Sequence, residues 1–159
     1  MAQQVIDHTA TTTGSPGTVF ALLADGSTWP TWSPLGSFTL LEPGEGTPEG
    51  LGALRKFTTG RHSSTERVVT VQADQVFSYT LVSGMPIRDY QAVVTLTPLE
   101  GGGGTSIRWR STFRAKVPLT GSIYRRALGG FIGRTVEGLA RAASSAPVAG
   151  ADDATSDVG

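Results

Sequence analysis

At 159 residues the chain is the size of a single domain, able to bury about two thirds of the surface its unfolded form would expose. Thirteen Lys and Arg balance thirteen Asp and Glu, so no net charge draws the chain toward nucleic acid or anionic lipid. There is no cysteine, which removes disulfides, thiolate metal sites and a cysteine nucleophile, and no asparagine, which removes glycosylation sequons and Asn-based oxyanion chemistry. Met1 to His8 contain no basic stretch leading into an apolar run, and no segment approaches the ~18 consecutive apolar residues of a membrane span. The expectation is a cytoplasmic protein without stable membrane insertion and without a nucleic-acid partner.

In chain order, Val5 to Thr13 is rich in β-branched residues and stops at Gly14, the pattern of a strand closed by a turn. Ser15-Pro16 then starts a short helix: the serine caps it, proline suits its first turn, and Val19, Phe20 and Leu23 share a face until Asp25-Gly26 breaks it. Trp29-Pro30-Thr31-Trp32-Ser33-Pro34 holds too much proline for a long helix and reads as a packed turn or short helical piece. From Ser37 to Phe113 six strands follow, near 37–42, 53–59, 63–72, 76–82, 90–98 and 105–113, separated by turn residues.

The last element repeats apolar residues at three and four positions, through Leu119, Ile123, Leu128, Phe131, Ile132, Val136 and Leu139, the stripe of a long amphipathic helix. A sheet with one apolar face needs a cover, and this helix is the element long enough to provide it. The architecture is therefore α+β: a seven-stranded curved antiparallel sheet wrapped around a long C-terminal helix, with short helices after the first strand. Residues 1–143 form this domain. Residues 144–159 are small, polar and acidic and are expected to be a disordered tail.

Several chemistries fall away. Gly101 to Gly104 leads into a strand with no Gly-Lys-Ser/Thr, so it is a hairpin tip and no phosphate loop. His8 and His62 lie on separate strands without metal-ligand spacing, and no Gly-x-Ser-x-Gly elbow is present. No metal and no cofactor are expected. Gly129, Gly130 and Gly133, inside the last helix, read as close-packing points or a bend.

Ser15-Pro16 with Val19-Phe20 and Leu23-Ala24-Asp25, then Trp32 with Pro34, Phe77-Ser78-Tyr79, Tyr90 to Leu96, Gly104-Thr105 into Ile107-Arg108-Trp109, and the closing Leu139-Ala140, stand in an order that resembles the START-like (SRPBCC) superfamily and, within it, the bacterial polyketide cyclase/dehydrase family. The resemblance runs over about residues 3 to 143. It implies the helix-grip fold and a deep pocket for an apolar, aromatic, polyketide-like or lipid-like ligand. It implies no single activity, and the Asn that often helps pocket Arg, Tyr and Trp orient a poly-β-ketone in aromatic cyclases is absent here.

Strand alternation supplies the inward set: Phe77, Tyr79 and Leu81; Tyr90, Ala92, Val94 and Leu96; Ile107, Trp109, Ser111 and Phe113. Of these, Tyr79, Tyr90, Trp109 and Phe113, together with Phe57 of a preceding strand, are candidate cavity walls; the alternative is an ordinary aromatic core. Trp32 either stacks on a ligand or plugs the sheet, and Trp29 reads as such a plug. Met85 and Ile87 put two apolar side chains on the 83–87 turn, which the resemblance implies is part of the pocket mouth near Gly60-Arg61-His62 and the last helix, with Ile123 and Phe131 as further lining; the alternative is a turn with incidental apolar residues. Glu66 and Arg67 are adjacent on one strand, so one points inward as a buried charge seeking a partner. With Tyr90, whichever is inward would be the proton-moving group of an enzyme. The competing functions are a carrier of a small hydrophobic ligand, a cyclase or dehydrase, and a non-catalytic stress-response or partner-binding scaffold, the chain acting as monomer or homodimer.

Overall fold

The computed structural model describes residues 2–146. The expected tail lies, from residue 147 onward, outside the described residues. Strands β1 (Gln4–Thr12), β2 (Ser37–Glu42), β3 (Leu54–Thr59), β4 (His62–Gln72), β5 (Val76–Ser83), β6 (Ile87–Pro98) and β7 (Thr105–Ala115) form one antiparallel sheet in the order β1-β7-β6-β5-β4-β3-β2. Helices α1 (Pro16–Ala24) and α2 (Trp29–Trp32), joined by a 3-10 turn, follow β1, and α3 (Gly121–Ser145) closes the chain.

The local chemistry is as expected at α1: the Ser15 hydroxyl accepts from Thr18 N at 3.1 Å, with Pro16 opening the helix. The first and last strands pair from Gln4↔Phe113 to Thr12↔Thr105, which places the N-terminus beside the strand that feeds α3. Thr12 then ties the end of β1 to α3, its hydroxyl donating to Ala140 O at 2.7 Å. α3 lies across β1 and β7 and packs on α1 and α2. Ile132, Val136, Leu139, Ala140 and Ala143 are its buried stripe.

Of the boundaries that differ from the sequence reading, two bear on the site. β6 begins three residues early, at Ile87, because Asp89 adopts a left-handed φ of 54° and absorbs an irregularity between Arg88 and Gln91, so Ile87 pairs with Ala115. At the other boundary, Leu119 has φ 69°, which cannot continue a helix, and α3 starts only at Gly121. The apolar stripe therefore does not extend back to Leu119, and Ile123, in the first turn of α3, points away from the core. These two side chains are 97% and 66% exposed.

Alternating antiparallel strands give the sheet two unlike ends. The β3–β4 turn, the β5–β6 turn and the β7–α3 link lie together at one end. The β2–β3, β4–β5 and β6–β7 connections lie at the other.

Candidate functional site

Side chains of β3 to β7 and of α3 enclose a cavity of about 230 Å3. Phe57, Glu66, Tyr79, Tyr90 and Trp109 come from successive strands β3 to β7, and each points to this side because of strand alternation. Leu128, Phe131, Ile132 and Thr135 descend from α3, one to two turns apart on one face. Trp29 of α2 enters from the side, its ring 5.0 Å from Phe57 and 5.7 Å from Trp109. Thr59, His62 and Ser63 and the Gly84-Met85 turn form the rim, at the end of the sheet that carries the β3–β4 and β5–β6 turns. Those two turns touch: Gly84, at φ 116°, presses on Ser63 O so closely that a Cβ would overlap it.

The charge arrangement is the most informative part of the site. Glu66 is inward, and its partner is Arg55, one strand away, with no exposed side-chain surface. Arg55 Nε and a terminal nitrogen donate to Glu66 Oε1 at 3.1 and 2.7 Å, while the other terminal nitrogen donates to Glu49 Oε1 at 3.1 Å and to Leu23 O at 3.2 Å. Its guanidinium carbon also lies 4.9 Å from the Trp29 ring centre and 5.0 Å from that of Phe77. One cation thus serves two carboxylates. Burial pushes the Glu66 carboxyl above its usual range, the nearby Glu49 charge adds to that, and Arg55 only partly opposes it. Both bonds from Arg55 fall on Oε1, which leaves Oε2 without a bond among the described residues and the carboxyl edge in the cavity wall.

Two further polar groups line the same space. Tyr90 shares a hydrogen bond of 3.0 Å with Ser111, and burial raises its hydroxyl to about 12. Tyr79, its ring 6.3 Å from that of Tyr90, is also raised well above its usual range by burial, so both phenols are neutral donors at ordinary pH. Trp109 Nε1 is buried and has no hydrogen-bond partner among the described residues. An unpartnered buried N–H costs about 1–3 kcal/mol, and here it belongs to a ring on the cavity wall.

Of the residues singled out from sequence, Phe57, Tyr79, Tyr90, Trp109, Met85, Phe131 and Glu66 meet at this cavity. Trp32, Phe113 and Ile87 are buried but sit off it: Trp32 packs against Trp29 at 4.9 Å and donates to Thr28, and Phe113 backs Tyr90 at 6.5 Å. Ile123 is corrected to an exposed position: it lies in the first turn of α3, where the neighbouring Tyr124 packs against the core instead. Arg67 is corrected to the opposite face of the sheet, where it bonds Gly52 O and Glu42. Trp29, read as a plug, also forms part of the wall. Arg55 and Glu49 were missed. Arg55 shares the parity of Phe57 two positions on, so the inward reading of Phe57 already contained it. Glu49 sits in a Gly/Pro-rich connection with no periodicity to reveal it.

A curved antiparallel sheet gripping a C-terminal helix over an apolar, rimmed cavity defines a START-like helix-grip domain. The model of the family described as polyketide cyclase/dehydrase and lipid transport matches residues 3–144, and the chain belongs to that family. Among solved structures, the protein XoxI from Bacillus cereus is similar at 18% identity and a TM-score of 0.71, over 91% of this chain and 97% of that one. A START superfamily protein from Mycobacterium smegmatis is similar at 16% identity and a TM-score of 0.69, over 88% and 94%. The crystal structure of Ara h 8.0201 gives 17% identity and a TM-score of 0.70, over 91% and 100%. At these identities the likeness is one of fold. No curated protein matches the sequence.

Proposed function

We propose that residues 1–143 form a cytoplasmic binding domain for a small, mostly apolar molecule with one or two rings. The observation that carries this reading is the aromatic cavity with a single carboxyl group, Glu66, set in its wall and braced by Arg55. Its volume of about 230 Å3 lies just under the ~300–1,000 Å3 of drug-sized sites, which favours a compact ligand over a long acyl chain. Affinity would come from apolar burial at about 25 cal/mol per Å2. Orientation would come from the Glu66 edge, the neutral phenols of Tyr79 and Tyr90 and the indole N–H of Trp109. The complementary ligand carries a hydroxyl or carbonyl able to meet them.

Native mass spectrometry of the protein purified from its source, against the denatured mass, tests this directly: a co-purifying small molecule is expected, and repeated recovery of bare protein would count against a resident ligand. Once such a molecule is in hand, Trp109→Phe should lower its affinity about tenfold, the worth of one hydrogen bond in a dry site. Equal or tighter binding by the Phe variant would show that the ligand does not accept from the indole.

A second reading, a cyclase or dehydrase, rests on one observation: a carboxyl held above its usual pKa at a cavity wall is a general acid. Under it, Glu66→Gln abolishes turnover and spares binding. Arg67, on the outer face, has no part in either reading.

The raised Glu66 pKa also has a stability consequence. Its folded value lies above the ordinary 4.5, so the fold is favoured fully below that pH and loses stability as pH rises through the folded value. Denaturation series across this range should show a decline in the native protein that Glu66→Gln lacks. Parallel curves for the two proteins would place the Glu66 pKa near its ordinary value.

A further inference from the structure

The balanced charge of this chain conceals a division between the two ends of the sheet. The β7–α3 link and the first turns of α3, residues 115–126, hold Lys116, Arg125 and Arg126 and not one Asp or Glu. At the closed end, the connections 43–53, 73–75 and 99–104 carry Glu45, Glu49, Asp74 and Glu100 and no Lys or Arg. At the cavity end, the turn at Gly60-Arg61 and the link 116–120 carry Arg61 and Lys116 and no acid, and Arg88, Arg125 and Arg126 flank them with Asp89 the acidic exception. Lys116, Arg125 and Arg126 are all exposed. The expectation that no field would draw the chain to an anionic surface holds for the net charge and fails for its distribution.

The same end carries exposed apolar side chains. Val117 is 54%, Leu119 97% and Ile123 66% exposed, all within seven residues of the β7–α3 junction. Leu119 is held out by a left-handed backbone, φ 69°, a strained conformation for a non-glycine residue. Its side chain gains almost no burial in return among the described residues. Three apolar side chains on a protruding link, interleaved with long cationic side chains, form a wedge. A protein partner would call for a broad flat face; a wedge of this kind suits the headgroup boundary of a bilayer.

We infer that the cavity end docks on an anionic lipid surface, with Val117, Leu119 and Ile123 entering the interface and Lys116, Arg125 and Arg126 meeting the headgroups. This is peripheral binding. It involves no spanning segment, in keeping with the absence of any helix long and apolar enough to cross a membrane among the described residues. The inference stands on surface residues alone and does not depend on what the cavity holds, though docking here would bring the rim formed by Met85 and His62 toward the lipid.

Flotation of the full chain with vesicles of phosphatidylcholine alone, or with phosphatidylglycerol mixed in, tests it. Binding is expected only to the anionic vesicles, and raised salt should weaken it, because the Debye length shrinks from ~10 Å at 0.1 M to ~3 Å at 1 M. Lys116→Glu should weaken it by more than about fivefold, the worth of roughly 1 kcal/mol per cation at such a surface. Leu119→Gly should weaken it at least about tenfold through lost apolar insertion. Because glycine accepts the left-handed backbone, the Leu119→Gly protein should melt no lower than the parent. No flotation with anionic vesicles, or equal flotation with neutral ones, overturns the inference and leaves an acidic protein as the partner to seek. A lower melting temperature for Leu119→Gly would show that the side chain packs within the fold and would overturn it as well.

Discussion

Arg55→Met is expected to destabilise the fold by about 3–5 kcal/mol, the usual cost of removing one partner from a buried ion pair. Met roughly keeps the volume but leaves Glu66 and Glu49 facing each other with no cation, and leaves Leu23 O without one of its donors. The readout is the denaturant midpoint, which should fall with little change in slope. Adding Glu66→Gln should restore part of the loss, because the uncompensated charge is then gone. Arg55→Lys should restore little: the ammonium is a point donor and cannot span Glu66, Glu49 and Leu23 O while lying against Trp29 and Phe77. Wild-type stability in Arg55→Met would mean that desolvation cancels the pair's attraction, and would remove Arg55 as the brace of the cavity carboxyl.

The second large effect belongs to α3. Gly138 packs directly on Trp32 O, where a Cβ would overlap the oxygen, and Gly138→Ala must push the helix off α2. A loss of about 1–3 kcal/mol is expected from this overpacking, even though alanine in a helix interior is favoured over glycine by about 1 kcal/mol. The same helix supplies the control. A Cβ at Gly129 meets nothing within 4 Å, so Gly129→Ala should raise stability by up to about 1 kcal/mol. Thermal melts of the two variants should move in opposite directions; a common sign would show that helix propensity, and no steric contact with α2, governs both positions. Gly129 had been read from sequence as a candidate close-packing point, whereas Gly138, where the backbone of α3 meets that of α2 at Trp32 O, carried no local mark to distinguish it.

That contrast holds through the molecule. Period-2 alternation placed Tyr79, Tyr90, Trp109 and their neighbours on the inner face, because in an extended strand the direction of a side chain follows from its parity alone. The Ser15 cap and the terminal helix were legible for the same reason: their signals are local. β4 was harder. Its ladder to β5 shifts register between Thr65 and Glu66 and again between Val68 and Thr70, and each shift breaks the parity count, so Glu66 and Arg67 could not be ordered from sequence. Leu119 was misplaced because hydrophobic spacing is blind to a left-handed residue that keeps a helix from starting earlier, and Ile123 because spacing alone does not say which side of the first turn the core covers.

By itself, then, the sequence determined the element order, the inner face of most strands, the covering helix and the absence of metal, thiol and nucleotide motifs, all of which depend on spacing along the chain. Tertiary structure alone decided that Glu66 faces inward, that Arg55 and Glu49 share it, that Trp32 stands behind Trp29, and that Lys116, Arg125 and Arg126 gather with exposed apolar side chains at the cavity end. Each of these depends on which distant segments a curved sheet and its helix bring within a few ångströms of each other, and no local pattern encodes that distance.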